Sequence, residues 1–493
     1  MNLLEEAWIP TAHRKVTPAQ VLRASAMRWP RPDLDAAAIQ FLIALVQTAI
    51  VHRPALCPDE DQWRDWLKNP PTAAVLADSW SDLVTVFQTT GDGPRFMQDF
   101  DAELDGKEAP LAALLPYCPG ENTLKKCSDI VCWQQRAPRA VSVPILAMML
   151  YADALYGTRW GAGHRQGMRG ENCLITLIEP DGPANVWERV LLNVLPHDRW
   201  VARFGKRAWS NKAIFPWMGP TRTSANGEVV TPEDVHPLQA FWQMPRRVRA
   251  ERTERGVCEL SGERGLVVRT FIRRPHGPDY QGWKHPLSPH WQSRDGGWNG
   301  LKIQGPHVGY GHWEGLVLDQ YDGYEPAAIV SEYVQRRMRP DDLRRLRCCG
   351  WHLTSRGEAG AWVDTTVPVV VVAANKDEFA ATVDQLLNGA AQVNKAVGNA
   401  LMALKIRGKN QFYERSETEF YENLRALAAG GLASAICETW HKFIARTSVA
   451  VFDSGTDTVR RDPLIVAKAR VGLLRTVYGP RIRNALRLTK QAA

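Results

Sequence analysis

The sequence predicts an α+β protein in two parts. A large, irregular mixed α/β domain covers residues 1–370, and a C-terminal four-helix bundle covers 371–493. Three observations predict it. Before residue 370, short strand-like runs and helices alternate with many Pro and Gly turns. After Val371 the apolar residues settle into a sustained helical period. The charge changes at the same place: 18 Lys and Arg stand against 11 Asp and Glu from Val371 onward, nearly all of the chain's net +8.

The elements follow in chain order. "RPDLDAAAIQFLIALVQTAIV" reads as a helix, with Asp33 and Asp35 in its first turn facing the positive end of the helix dipole. Gln40 and Gln47 interrupt its apolar run, which argues for a buried core helix and against a membrane span. "NCLITLIE" (172–179), "GLVVRTFIRR" (265–274) and "VPVVVVAA" (367–374) read as strands. Segments 205–235 and 275–315, rich in Gly, Pro, Trp and His, read as irregular arms. In the bundle, Asn375 with Glu378 resembles a capping box. Phe379, Val383, Leu386, Val393, Val397, Leu401 and Leu404 follow it at helical spacing, with Gly389 inside the stripe. A second helix spans about 411–429 and a third about 432–448. Asp462-Pro463 caps a fourth, whose stripe is Leu464, Ala467, Val471, Leu474 and Val477, and Gly479-Pro480 ends it. Lys395, Lys409, Lys442 and Lys468 fall off these stripes and are expected to face outward.

Composition narrows the function classes. With 493 residues, 45% apolar and 23% charged, the chain is ordinary globular material. Glu5 and Glu6 occupy the place where a secretory apolar region would begin, so no secretory signal is expected. The nine cysteines are odd in number and scattered, as in reduced thiols of a cytoplasmic protein. None has paired zinc-site spacing, and no metal or cofactor is expected. His276, His285, His290, His307 and His312 lack acidic partners at ligand spacing, so no catalytic constellation emerges. The basic cluster "MPRRVRAERTERG" (244–256) reads by default as a solvated helix face, and "RRMRPDDLRRLR" (336–347) as helical in part.

One stretch stands apart. "RWGAGHRQGMRGE" (159–171) crowds glycines and arginines together. It has neither the G-K-[ST] of a phosphate-binding P-loop nor the G-x-G-x-x-G of a dinucleotide fold. Three readings remain: a nucleotide site of an enzyme, a structural turn, or a loop whose bare backbone approaches a nucleic acid. Glycine removes the bulk that would hold main chain away from base edges, and Arg159, Arg165 and Arg169 are placed to neutralise phosphates. Arg273 and Arg274, ending a strand-like run, are also placed to reach a groove. A protein-binding scaffold using the basic bundle is the remaining alternative.

An ordered series of short signatures resembles the CasA family, the large subunit of type I-E CRISPR Cascade surveillance complexes. They are "MNLLEEAWIP", "RPDLDAAAIQFLIALVQT", "PRFMQD", "GENTL", "WGAGHRQGMRGE", "VLLNVLP", "FWQMPRR", "WKHPLSPH", "GWHLTSRGEAGAWVDTTVP" and "FYERSE". The resemblance implies a subunit without enzymatic activity, partnered by CRISPR RNA, other Cascade subunits, double-stranded target DNA and a helicase–nuclease that docks on it. It implies reading of the protospacer-adjacent motif (PAM) through the minor groove, and opening of the duplex beside it. Carried over by residue, the glycine loop is Gly161, Ala162 and Gly163, and the basic groove residue is Arg273 or Arg274. The wedge is Thr354, Ser355, Arg356 and onward to Ala359, one residue longer than the family's pattern. The loop toward the guide RNA is Asn122, Thr123, Leu124, Lys125, Lys126 and onward to Arg136. The basic bundle, through Lys395, Lys409, Lys442 and Lys468, would lie along the DNA. Where some relatives carry a cysteine cluster only Cys258 stands here, so zinc is not implied.

Overall fold

A computed structural model of the protein describes residues 1–116, 118, 137–157, 160–250, 252–303, 305, 308–318, 323–339, 344–353, 359–370, 376–406, 411–457 and 461–488. The chain forms two compact units. The first holds Met1–His307, Ala327–Val330 and Arg347–Thr365. The second holds Val308–Pro326, Ser331–Leu346 and Thr366–Ala493. The architecture is α+β, with small sheets among helices in the first unit and a helical bundle in the second.

The first unit is built round the helix Pro32–His52, which is buried at every position from Ala36 to Ile50. By length and composition this helix is apolar enough to cross a membrane, yet 89% of its apolar window is buried inside the protein. Its two interruptions are hydrogen-bonded core positions. Gln47 exchanges two bonds with the Leu195 backbone, at 2.8 and 3.0 Å, and Gln40 accepts from Arg169. Phe41 sits edge-on to Trp8, Phe87, Phe96, Tyr151 and Trp242, a packing that exploits the opposite charge of ring edge and face. The helix Val143–Tyr156 packs beside it.

Three small sheets matter for the site. The strand Thr270–Arg274 runs between Lys107–Pro110 and Arg247–Arg249, antiparallel to both. The strand Arg264–Val268 runs between Val141–Ser142 and Glu254–Val257. Ile175–Pro180 borders Arg344–Leu353, which in turn borders Ala359–Val369. The single strand expected over 265–274 is therefore two, broken at Arg269 and shared between two sheets. The strand expected over 367–374 begins earlier, at Ala359, and its described part ends at Val369. The cluster 244–256 is not a helix face: it forms parts of two strands, and Arg246 and Arg249 are buried. Arg336 and Arg337 end a helical turn, while Arg344–Arg347 open a strand.

The second unit's helices are Lys376–Ala403, Phe412–Ala428, Ala433–Asp457 and Pro463–Val477. The stripe Phe379 to Leu404 on the first of them is buried as expected. Asp462 caps the fourth helix by accepting from Leu464 N–H at 2.8 Å. Asn375 lies outside the described residues. The third helix runs nine residues beyond the expected 448. The fourth helix ends at Val477, ahead of Gly479-Pro480 as expected, and Pro480 as a first-turn proline opens a further short helix, Pro480–Ala485. The expected cut at 370 also differs from the compact units, because 308–326 and 331–346 belong with the bundle. Aromatic packing is the reason: Tyr310 stacks on Phe420 with centroids 4.3 Å apart and meets Ser416 Oγ at 2.7 Å.

Candidate nucleic-acid interface

The glycine loop leaves the end of Val143–Tyr156, an almost wholly apolar helix that carries one acid, Asp153. Asp153 pairs with Arg246 at 3.2 Å, and both side chains are 4% exposed. Burial pushes the Asp153 carboxyl up to about 6, and the Arg246 guanidinium opposes that shift. The Arg246 guanidinium also lies 4.4 Å from the Trp160 ring centroid, a cation–π contact at the root of the loop. Trp160 continues outward against Phe271 and His164, at 5.8 and 5.6 Å.

Gly161 and Gly163 have φ of +102° and +77°, a region that side-chain-bearing residues avoid. A Cβ on Gly161 would meet no protein atom within 4 Å, so its backbone is bare on the outside. A Cβ on Gly163 would lie 2.9 Å from Pro275 Cβ. The Gly163 carbonyl accepts from His276 N–H at 2.8 Å, which ties the loop to the chain just after Arg274. Gly161 and Ala162 are exposed and Gly163 half-buried.

This tie brings one of the two candidate arginines to the loop. Side chains alternate across a strand, so Phe271 and Arg273 share a face and Arg274 takes the other. Phe271 packs on Trp160, and the Arg273 guanidinium lies 5.8 Å from the same ring. Arg274 is exposed on the opposite face, across from Arg247 in register. His164 registers the cationic setting. Burial first, and then Arg273, Arg246 and His276, push its imidazole down to about 4.

Of the arginines inside the glycine stretch, one is turned into the core. Arg169 is 3% exposed; Gln40 accepts from its Nη1 at 2.9 Å, and its Nη2 approaches the His285 ring nitrogens at 2.7 and 2.8 Å. It cannot reach a phosphate on the surface. Arg165 is engaged by Asp279 at 3.2 Å and donates to Ser224 Oγ at 2.9 Å. Arg159 lies outside the described residues.

The other candidates are not gathered here. Thr354, Ser355 and Arg356 lie outside the described residues; Leu353 ends one strand and Ala359 begins the next. Asn122, Thr123, Leu124, Lys125, Lys126 and Lys409 also lie outside them. Lys395, Lys442 and Lys468 are exposed on three helices of the second unit, and Lys442 pairs with Glu438 at 2.8 Å. Among the described residues no group of three or more His, Cys, Asp or Glu is arranged to hold a metal. Sequence reasoning missed Trp160 and the Arg246–Asp153 pair behind it. A lone acid in the helix "VPILAMMLYADALY" was the available signal, because a buried charge demands a partner.

Comparison with known proteins adds the family. Thermobifida fusca Cse1 has a TM-score of 0.70 at 15% identity, covering 99% of this chain and 98% of that one. Thermus thermophilus CasA (Cse1) has a TM-score of 0.68 at 15% identity, covering 97% and 99%. A chain of a structure described as a "CRISPR RNA-guided surveillance complex" has a TM-score of 0.67 at 14% identity, covering 97% and 99%. At such identities these likenesses establish a shared fold. Comparison with curated protein sequences gives no match. The family profile of CRISPR-associated protein Cse1, however, matches residues 2–451. The chain belongs to the CRISPR-associated protein Cse1 family, also called CasA.

Proposed function

We propose that this chain is a subunit of a CRISPR RNA-guided surveillance complex, partnered by guide RNA and other Cascade subunits, and that it reads the PAM of duplex DNA through the minor groove. Family membership supports the complex. The observation that carries the reading is the meeting of bare backbone at Gly161–Gly163 with the Arg273 guanidinium, both anchored on Trp160. Minor-groove edges distinguish A·T from G·C and little else, so backbone contacts plus one cation suit a short, tolerant motif. The segment from Thr354 to Ala359 is the proposed wedge. Separating a base step costs about a few kcal/mol, offset by contacts to the opened duplex. Catalysis is left to the helicase–nuclease that docks on the complex.

In complex assembled with guide RNA, Arg273→Ala should weaken binding of PAM-containing duplex about tenfold and reduce the salt slope by about one unit. Arg274→Ala should change affinity less than about threefold, as expected for an exposed charge off the reading face. Gly161→Asp should abolish binding, because a carboxylate would then stand where backbone meets the phosphates and base edges. Gel shift across a randomised PAM library measures all three. Wild-type binding by both Arg273→Ala and Gly161→Asp would end this reading.

A further inference from the structure

Beyond the reading face, the glycine loop forms one wall of an open groove of about 820 Å³. Tyr280–Trp283 forms a second wall and Trp298–Lys302 a third. The groove is large enough for a nucleotide-sized ligand. Its charge is one-sided. Asp279 is the acid that lines it, and Arg165 already neutralises that carboxylate at 3.2 Å. Arg169 lines the wall with its guanidinium turned inward to amide and imidazole partners, and among the described residues its Nε has no hydrogen-bond partner. A guanidinium keeps its proton even when buried, so Arg169 is a fixed positive charge behind this wall. Exposed Lys302 adds a second cation at the rim. The groove also carries an aromatic surface: Trp298 lines it, with Lys284 Nζ 3.5 Å from its ring centroid. Exposed Gln281 and Asn299 add amide donors and acceptors beside that ring.

We propose that this groove binds one unpaired nucleotide, its base stacked on Trp298 and its phosphate held by Lys302 in the field of Arg169. An inorganic anion would use the cations and leave the ring and amides idle. An apolar ligand would leave the cations unbalanced. A base with its phosphate uses all three features. The chemistry stands without the PAM-reading assignment; only the expected source, a strand opened beside the glycine loop, rests on it.

The test uses the full-length chain, with fluorescence anisotropy of a labelled short oligothymidylate and competition by thymidine monophosphate. Trp298→Ala should weaken oligonucleotide binding about tenfold, the usual loss for a stacking aromatic. Lys302→Ala, at an exposed position that does not threaten folding, should lower the magnitude of the salt slope by about 0.7. Competition by the mononucleotide would show that one nucleotide suffices; oligonucleotide binding without competition would identify a strand as the source. Either outcome, with both variants impaired, upholds the site. Wild-type oligonucleotide binding by both variants overturns it. The two readings fail separately, because Arg273→Ala, outside the groove lining, acts on PAM duplex binding and Trp298→Ala on unpaired nucleotides.

Discussion

At the scale of single residues, Arg169 carries the main lesson. In sequence it is one more arginine in a glycine stretch. In the structure its guanidinium is buried against Gln40, a polar residue in the middle of an apolar helix. The two anomalies explain each other. Gln40→Leu should therefore cost about 1.5–3 kcal/mol, the value of a buried hydrogen bond to a charged group. Urea unfolding measures it, and a cost below about 0.5 kcal/mol, the level of an ordinary surface change, would refute the pairing. Buried imidazoles set a pH dependence as well. His164 and His236 are pushed down to about 4 and His290 to about 3, mainly by burial. In the unfolded chain each takes up its proton near the ordinary value of 6.5. Their contribution to stability is thus complete above 6.5 and is lost as pH falls toward 4. Asp153, raised from 3.8 to about 6, acts in the opposite sense over its own window. The histidines outnumber it, so the thermal midpoint should drop steadily between pH 6.5 and 4. A rising midpoint there would mean that these rings are not neutral.

At the scale of elements, the fourth bundle helix shows how a periodic pattern misleads. The expected stripe was Leu464, Ala467, Val471 and Leu474, closed by Val477. Only Val477 of these is fully buried, together with Leu473, while Leu464 is 62% exposed and Val471 46%. The segment "PLIVAKARVGLLRTV" carries apolar residues on more than one face, so spacing alone does not choose the rotation. The structure chooses it through contacts with the first and third helices and the pair of hydrogen bonds that Arg470 donates to the Asp453 carboxylate, at 2.9 and 3.0 Å. Gly389 is a second case. As a sequence feature it only weakens a helix, but a Cβ there would lie 2.7 Å from Leu486 Cδ2. Gly389→Val should destabilise by about 1–3 kcal/mol through overpacking, and Leu486→Ala in the same chain should relieve part of that loss. Calorimetry of the single and double variants checks the coupling; purely additive effects would refute it.

At the scale of the whole molecule, charge and fold separate. Among the described residues after Val371, most basic side chains are exposed on the second unit, as a polyanion-binding surface requires. If the bundle lies along DNA, Lys395→Ala and Lys468→Ala should each reduce the salt slope of the assembled complex by about one unit. Lys442→Ala should reduce it less, because Glu438 already shares that charge. Filter binding over a salt series measures the slopes, and three unchanged slopes would remove the bundle from the DNA path.

By itself the sequence determined the class of fold, the core helix Pro32–His52, the helical stretches of the bundle and the singular glycine loop. Those are local properties: period, capping and backbone freedom are written in neighbouring residues. Only the tertiary structure decided that Arg273 rather than Arg274 stands beside the loop, that Arg169 faces inward, and that 308–326 packs with the bundle. Each of those depends on which strand pairs with which and which buried charge finds a partner. Such contacts join residues far apart in the chain, so no window of sequence contains them.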